Sequence, residues 1–206
     1  MKTKLIFTFI LSSIFIFTSK IKAQETTFDK GTVVLTVGYG LPDLNRISLR
    51  SSYNIYYDNT TVRGFGPLIF KGEYGIMKFK WGHSVGGGII VGVNSTNVTY
   101  YYSNHLWTQT DRYTTITIGA RGTYHFFNND KIDCYANVGL GFNINTYNQT
   151  TTDPKGKNDS YFNKPSSVYE AITVGIRYYF SKNIGVYAEA GWDMHAPFQG
   201  GLAVKF

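Results

Sequence analysis

Apolar and polar side chains alternate along most of this chain, and the alternation is clearest between Val168 and Phe206. Even-numbered positions there carry mainly large apolar side chains, and odd-numbered positions carry polar or small ones. Because successive side chains of a strand point to opposite faces, the pattern predicts strands with one apolar and one polar face. Charges recur in the middle of the polar face, as at Arg177 and Glu189. This favours a barrel with lipid outside and polar groups inside over a soluble sandwich.

The same alternation divides the chain into eight predicted strands. They are Thr32–Gly40, Pro67–Ile76, His83–Tyr101, Asp111–Phe127, Ile132–Tyr147, Val168–Phe180, Ile184–Asp193 and Phe198–Phe206. Long connections, predicted as loops, follow the first, third and fifth strands: Leu41–Gly66, Tyr102–Thr110 and Asn148–Ser167. The other connections are short. An even strand number with alternating short turns and long external loops is typical of outer-membrane barrels. The prediction is an all-β, eight-stranded antiparallel up-and-down transmembrane β-barrel.

The first 23 residues have the layout of a secretory signal peptide. Two lysines precede the apolar stretch Leu5–Phe17, and Ala23 supplies a small residue for cleavage. The stretch is too short for a spanning helix, which needs about 20 residues. We therefore expect residues 1–23 to be removed and residues 24–206 to form one barrel domain. The leader holds four lysines and no acid, so the net charge falls from +7 to +3, which gives little support to nucleic-acid binding.

The end of the chain resembles a known family. The stretch GIRYYFSKNIGVYAEAGW (Gly175–Trp192), followed by GGLAVKF (Gly200–Phe206), is similar to the C-terminal hairpin and closing strand of small outer-membrane β-barrel proteins. Those proteins are common in Bacteroidetes and are related to the membrane domains of OmpA and OmpX. The resemblance implies a Gram-negative outer membrane and insertion by the barrel-assembly machinery. It also implies that the terminal Phe206 is the assembly signal.

The polar face of the predicted strands carries charges that would point into the barrel. An eight-stranded barrel is just wide enough for side chains to fill its interior, and unpaired buried charges are costly, so opposite charges there should pair. A turn centred on Lys182 makes Arg177 and Glu189 diagonal neighbours across one hairpin. The interior could be a closed polar plug or a narrow ion path. The predicted network consists of Lys71, Glu73, Arg121, Asp133, Arg177, Glu189 and Lys205.

Aromatic residues on the apolar face predict a girdle at the membrane interfaces, where amphipathic rings rest among the headgroups. Near the periplasmic ends of the strands these are Tyr124, Phe126, Tyr178, Phe180 and Phe206, with Trp192 at the outer end. A soluble core is the competing interpretation of these rings.

The predicted external loops are rich in basic residues, which are Arg46, Arg50, Arg63, Lys155, Lys157 and Lys164. Basic loops beside a lipopolysaccharide surface could bind its phosphates, or they could be solvated and variable. His105 near Ser103 and His195 near Asp193 could belong to a lipid A-modifying enzyme, but no catalytic, cofactor or metal-binding motif appears, so no metal or cofactor is predicted.

The sequence thus predicts a structural or surface-interaction role without catalysis, such as envelope integrity, adhesion or ligand binding. A small-solute or ion pore, a lipid A-modifying enzyme and a soluble lipocalin-type barrel are the alternatives. The expected partners are outer-membrane lipid, lipopolysaccharide and the barrel-assembly machinery. We expect the protein to be a monomer. No internal disulfide can form, because Cys134 is the single cysteine.

Overall fold

A computed structural model describes residues 26–57, 59–79, 81–102, 106–156, 158, 160–162, 167–193 and 196–206. The leader, residues 1–23, lies outside the described residues. The same is true of five residues named above as candidates: Ser103, His105, Lys157, Lys164 and His195.

The described chain is almost entirely β-structure. Its elements are β1 (Val33–Leu41), α1 (Leu44–Tyr56), β2 (Thr61–Lys78), β3 (Ser84–Tyr102), β4 (Trp107–Asn128), β5 (Ile132–Thr151), β6 (Ser160–Phe162), β7 (Ser167–Tyr179), β8 (Ile184–Asp193) and β9 (Phe198–Lys205). Within these ranges, no helix has the length and the hydropathy needed to cross a membrane.

Eight of the strands form a closed ring in which every pairing is antiparallel. Chain neighbours pair from β1 to β5, β5 pairs with β7, and the ring closes where β9 pairs with β1. The short β6 adds three pairs to the far end of β5. The predicted eight-stranded up-and-down barrel is therefore confirmed. We call the end that carries α1 the loop end, and the end that carries Thr26 and Phe206 the terminal end.

Burial in this ring is the reverse of that in a soluble protein. The outward rows consist of large apolar side chains; Leu140, for example, is 67% exposed. The inward rows are polar, and Asp133 and His125 are fully buried. A continuous apolar band around a barrel is stable only where lipid replaces water. The ring is thus a transmembrane barrel.

Three strands are longer than the alternation predicted. β2 begins at Thr61 instead of Pro67, β4 begins at Trp107, and β5 continues to Thr151. Each of the three predicted long loops is therefore partly strand, and Arg63 lies in β2 instead of a loop. Apart from Phe65, the outward side chains of these extensions are Thr, Arg and Asn, so no apolar alternation marks them, although Thr and Tyr favour strands.

The first predicted loop contains α1, which begins after Asp43. The Asp43 side chain accepts a hydrogen bond from the Arg46 backbone N–H, as an N-cap does.

A β-bulge at the terminal end of β4 interrupts the alternation. The register shifts between His125 and Phe127, so Phe127 pairs with Cys134 in β5. Phe126 lies in this bulge and therefore departs from the regular lipid-facing row on which the sequence placed it. The bulge also points Asn128 inward, where its side chain is buried.

The lipid-facing band predicts a depth-dependent cost for charge. Ile118 points outward from the middle of β4, whereas Thr110 points outward beyond the band. We expect Ile118→Arg to lower the free energy of unfolding by about 2–4 kcal/mol, because the guanidinium must leave water for lipid. Thr110→Arg is the matched control and should change it little. Urea titration in phospholipid vesicles measures both, and equal effects would contradict a membrane-spanning band.

Candidate functional site

The barrel interior contains a first group of charges centred on Glu189. Lys71 Nζ lies 2.6 Å from Glu189 Oε2, and Arg121 Nη2 lies 3.2 Å from Glu189 Oε1. The Tyr135 hydroxyl donates to Glu189 Oε1 (2.8 Å), and Lys71 also donates to Gln199 Oε1 (2.8 Å). These residues, the Glu189 cluster, come from β2, β4, β5, β8 and β9. One carboxylate thus links strands from all sides of the ring.

A second group of charges, the His125 cluster, lies nearer the terminal end. Arg177 donates from Nη1 to Asp133 Oδ2 (3.1 Å) and from Nη2 to Glu73. His125 Nδ1 lies 2.7 Å from Asp133 Oδ1, and His125 Nε2 lies 2.9 Å from Glu73 Oε1. An imidazole that donates from both nitrogens is protonated, and two cations then balance two carboxylates. The network predicted from the sequence does not include His125, although its odd number puts it on the inward row of β4.

The ring of Tyr135 lies between Glu189 and Arg177. The predicted register of the β7–β8 hairpin is present, with Gly175 opposite Glu189 and Arg177 opposite Tyr187. Arg177 and Glu189 nevertheless bind other partners. The Tyr135 ring occupies the space above Gly175, where a Cβ would lie 2.5 Å from the ring. Arg177 Cζ stacks 4.3 Å from the centre of this ring.

The chain before β1 closes the terminal end of the barrel, a feature that the sequence did not predict. The Phe28 ring stacks on His125 with 3.8 Å between ring centres, and both side chains are fully buried. Asn128 Oδ1 accepts hydrogen bonds from the Thr27 hydroxyl (2.7 Å) and the Phe28 backbone N–H (3.1 Å). This segment has no alternation, so only the closed barrel shows that Phe28 belongs to the interior.

Side chains fill the space between the clusters. A cavity of about 10 Å³ remains beside Lys71, Glu73, Arg121 and Arg177. That volume holds about one water molecule. The geometry therefore favours the closed polar plug over the ion path.

The remaining residues of the predicted network and girdle lie near the strand ends. Lys205 Nζ lies 4.8 Å from the centre of the Tyr179 ring. The Phe206 backbone exchanges hydrogen bonds of 2.9 and 3.1 Å with Val33, so the last residue continues the β9–β1 pairing. The outward aromatic side chains are exposed, and they are Tyr124, Tyr178, Phe180, Trp192 and Phe206.

Beyond the lipid-facing band, β2–β5 continue as a sheet that we call the loop-end sheet, with residues 61–66, 94–102, 107–115 and 145–151. Helix α1 packs against its inward side through Tyr53. The Tyr53 hydroxyl donates to Asp111 Oδ2 (2.6 Å) and lies 2.6 Å from the Tyr113 hydroxyl. The Tyr100 hydroxyl also donates to Asp111 Oδ2 (3.3 Å). Burial, followed by the hydrogen bond to Asp111, raises the pKa of Tyr53.

The four predicted basic residues that the structure describes do not gather at one place. Arg46 Nη2 pairs with Asp43 (3.2 Å), and Arg50 is exposed on α1. Lys155 is exposed in the turn after β5. Arg63 lies on the outward face of the loop-end sheet, near an arginine that the sequence analysis missed, Arg112. The even number of Arg112, which places it on the outward row of β4, could have identified it.

The described residues offer no evident catalytic centre. Asp193, which the sequence paired with His195, is buried and accepts a hydrogen bond from Gln199 Nε2 (2.5 Å). In this part of the chain, no three His, Cys, Asp or Glu side chains are grouped so that they could hold a metal ion.

Comparison with known proteins gave structural similarities alone. No protein-family model and no curated protein matches the sequence. Two crystal structures of Ail, the attachment invasion locus protein of Yersinia pestis, are similar, one of them in complex with the heparin analogue sucrose octasulfate. The complex shares 14% sequence identity with this chain and gives a TM-score of 0.38. The other structure shares 15% identity and gives a TM-score of 0.41. Each match covers 86% of this chain and 99% of the Ail chain.

The N-terminal β-barrel domain of Pseudomonas aeruginosa OprF is also similar, with 14% identity, 88% and 98% coverage and a TM-score of 0.35. At these values the assignment of the fold rests on the chain's own register and burial. The closed ring, the apolar exterior and the paired interior charges define an eight-stranded transmembrane barrel with a filled lumen.

The Glu189 cluster predicts a large loss of stability when its carboxylate is neutralised. In Glu189→Gln, Lys71 and Arg121 stay buried without a counter-charge, so we expect the free energy of unfolding to fall by about 3–5 kcal/mol. Asp130→Asn is the matched control, because Asp130 is exposed in the turn between β4 and β5, outside the lipid-facing band. Denaturant unfolding measures both variants. A change below 1 kcal/mol (about the value of an exposed pair) in Glu189→Gln would contradict the pairing.

The raised pKa of Tyr53 predicts how the docking of α1 depends on pH. The neutral Tyr53 hydroxyl donates a hydrogen bond to Asp111, and this bond stabilises the folded protein. The stabilisation is complete below the pKa of tyrosine in the unfolded chain, about 10. It is lost only as the pH rises through the higher pKa of Tyr53 in the folded protein. The tyrosinate absorbance difference between wild type and Tyr53→Phe should stay flat through pH 10 in the folded protein. The same difference should show a step near pH 10 in urea. A step at that pH in the folded protein would disprove the hydrogen bond.

Proposed function

We propose that this protein is exported and inserted into the outer membrane of a Gram-negative bacterium, where it has a structural or surface-interaction role without catalysis. Residues 1–23 are the signal peptide, cleaved near Ala23, and residues 24–206 form a monomeric barrel domain. Phe206 is the signal for the assembly machinery, and the aromatic girdle anchors the barrel at both interfaces. The loop end is external, because an up-and-down barrel with eight strands leaves both termini at the periplasmic side.

The observation that carries this proposal is the contrast between the two halves of the molecule. Inside the membrane band, paired charges and Phe28 fill the lumen. Beyond the band, β2–β5 continue into the loop-end sheet, whereas β1, β8 and β9 end close to the membrane. A filled lumen supports no transport, so the part of the protein that other molecules can reach is the loop-end sheet with α1.

Shortening the β3–β4 hairpin tests this role. Thr96 pairs with Tyr113, so replacing residues 97–112 with an Asn-Gly turn keeps the register below it. The control replaces only the hairpin tip, residues 103–106, with glycine and serine. Both proteins should still show heat-dependent gel mobility in outer-membrane fractions, because the membrane band is intact.

A deletion strain complemented with each protein then gives the functional result. Vancomycin resistance measures envelope integrity, and attachment to immobilised glycans and matrix proteins measures surface interaction. We expect the tip control to restore both properties and the shortened barrel to leave at least one of them unrestored. A shortened barrel that restores both would contradict the proposal, as would a protein found in the soluble periplasmic fraction.

The alternative of an ion pore makes a different prediction. Because the clusters leave room for about one water molecule, the wild-type barrel should give no conductance steps in planar bilayers. Steps that change when Arg121, Arg177 or Glu189 is neutralised would favour the pore.

A further inference from the structure

A row of polar side chains crosses the outward face of the loop-end sheet. The register places Arg63 opposite Asn97, Asn97 opposite Arg112, and Arg112 opposite Asn148. These four residues, the arginine row, occupy equivalent positions on four adjacent strands. Neighbouring strands lie about 4.8 Å apart, so the Cα atoms of Arg63 and Arg112, on either side of Asn97, are about 10 Å apart.

Hydroxyl groups lie on both sides of the arginine row. The row farther from the membrane consists of four threonines, Thr61, Thr99, Thr110 and Thr150. The row nearer the membrane contains Ser95, Thr114 and Thr146, and the Ser95 and Thr114 hydroxyls are 3.0 Å apart. The arrangement offers cations, amides and hydroxyls on one sheet surface.

The arginines are available to an external anion. Arg63 and Arg112 are exposed, and Arg112 Nε donates to Asn97 Oδ1 (2.9 Å), which orients its guanidinium. In the described residues, no hydrogen bond or ion pair involves the Arg63 side chain. No outward position of the described loop-end sheet carries Asp or Glu. A guanidinium binds phosphate oxygens through paired N–H groups, so phosphate is the anion that this surface fits best.

The position of the row identifies the occupant. Arg112 lies four positions before Ile116, an outward apolar residue of the lipid-facing band, which is about 13 Å along β4. The row faces sideways, continuous with the band, so the headgroups of the surrounding lipid are what it meets. A phosphorylated saccharide headgroup would supply anions to the arginines and hydroxyls to the Asn and Thr side chains.

We infer that Arg63, Asn97, Arg112 and Asn148 bind the phosphorylated saccharide headgroup of lipopolysaccharide in the outer leaflet. This inference rests on the proposed outer-membrane location and deepens it by naming the lipid that the loop-end sheet contacts. The arginines hold the phosphates, and the asparagines and threonines bind the sugar hydroxyls.

Titration of the barrel domain with bisphosphorylated lipid A in neutral detergent, followed by native mass spectrometry, tests the site. Each arginine should contribute about fivefold in affinity, so Arg63→Gln/Arg112→Gln should bind about 25-fold more weakly. The matched control, Lys131→Gln/Lys182→Gln, removes two exposed charges in the turns at the terminal end and should change the affinity less than about twofold. Added salt should weaken wild-type binding more than that of the arginine variant.

Three results would overturn the inference. They are equal losses in both variants, unchanged affinity in the arginine variant, and equally tight binding of dephosphorylated lipid A. Heat-dependent gel mobility establishes that each variant is folded before titration. Because the titration uses purified protein, it can fail while the strain experiment succeeds, and the reverse can also occur. The failure of the binding site and the failure of the proposed function are therefore distinguishable.

Discussion

The structure depends on the pairing of charges across the barrel interior. Glu189 in β8 binds Lys71 in β2, 118 residues away, and that contact exists only when β9 pairs with β1 and the ring is closed. Surrounded by lipid, an unpaired ammonium or carboxylate would have neither water nor a counter-ion, so an open ring would leave several charges unsatisfied. Closing the strand edges and satisfying the charges are therefore the same event. The backbone ladder closes the barrel, and the interior charges strongly favour the register in which each of them has a partner.

This interior leaves the membrane part of the protein without an obvious path for solutes. The Glu189 cluster, the His125 cluster and the ring of Phe28 lie along the lumen between the loop end and the terminal end. The accessible part is the loop-end sheet, whose inward side binds α1 through Tyr53 and Asp111 and whose outward side carries the arginine row. The two sides of one sheet thus have separate roles, since the inward side holds the helix in place and the outward side faces the neighbouring headgroups.

The sequence was most informative where lipid imposes a rule on every second residue. In β7–β9 the alternation predicted the strands, the register of the β7–β8 hairpin and which side chains point inward, because lipid selects apolar residues on the outer row; Glu170 is the charged exception there. The rule ends where the band ends. At Thr61–Gly66 and Trp107–Thr110, which lie beyond the band, neither face meets lipid, so polar residues are allowed on both. The alternation therefore predicted loops for these segments, with Arg63 in the first of them. The bulge at Phe126 is a second case, since one extra residue reverses the alternation without changing composition.

The sequence by itself determined the class of fold, the inward row of charges and the outward apolar row, because both follow from the two-residue period of a strand between lipid and lumen. Only the tertiary structure decided which charges pair. Arg177 and Glu189 are diagonal neighbours in one hairpin, yet the Tyr135 ring over Gly175 separates them, and each binds partners from distant strands. The place of Phe28 was likewise decided by the closed barrel, whose terminal end offers an apolar ring somewhere to stack on His125. Side-chain partners across a barrel depend on strands far apart in sequence, so no local pattern encodes them.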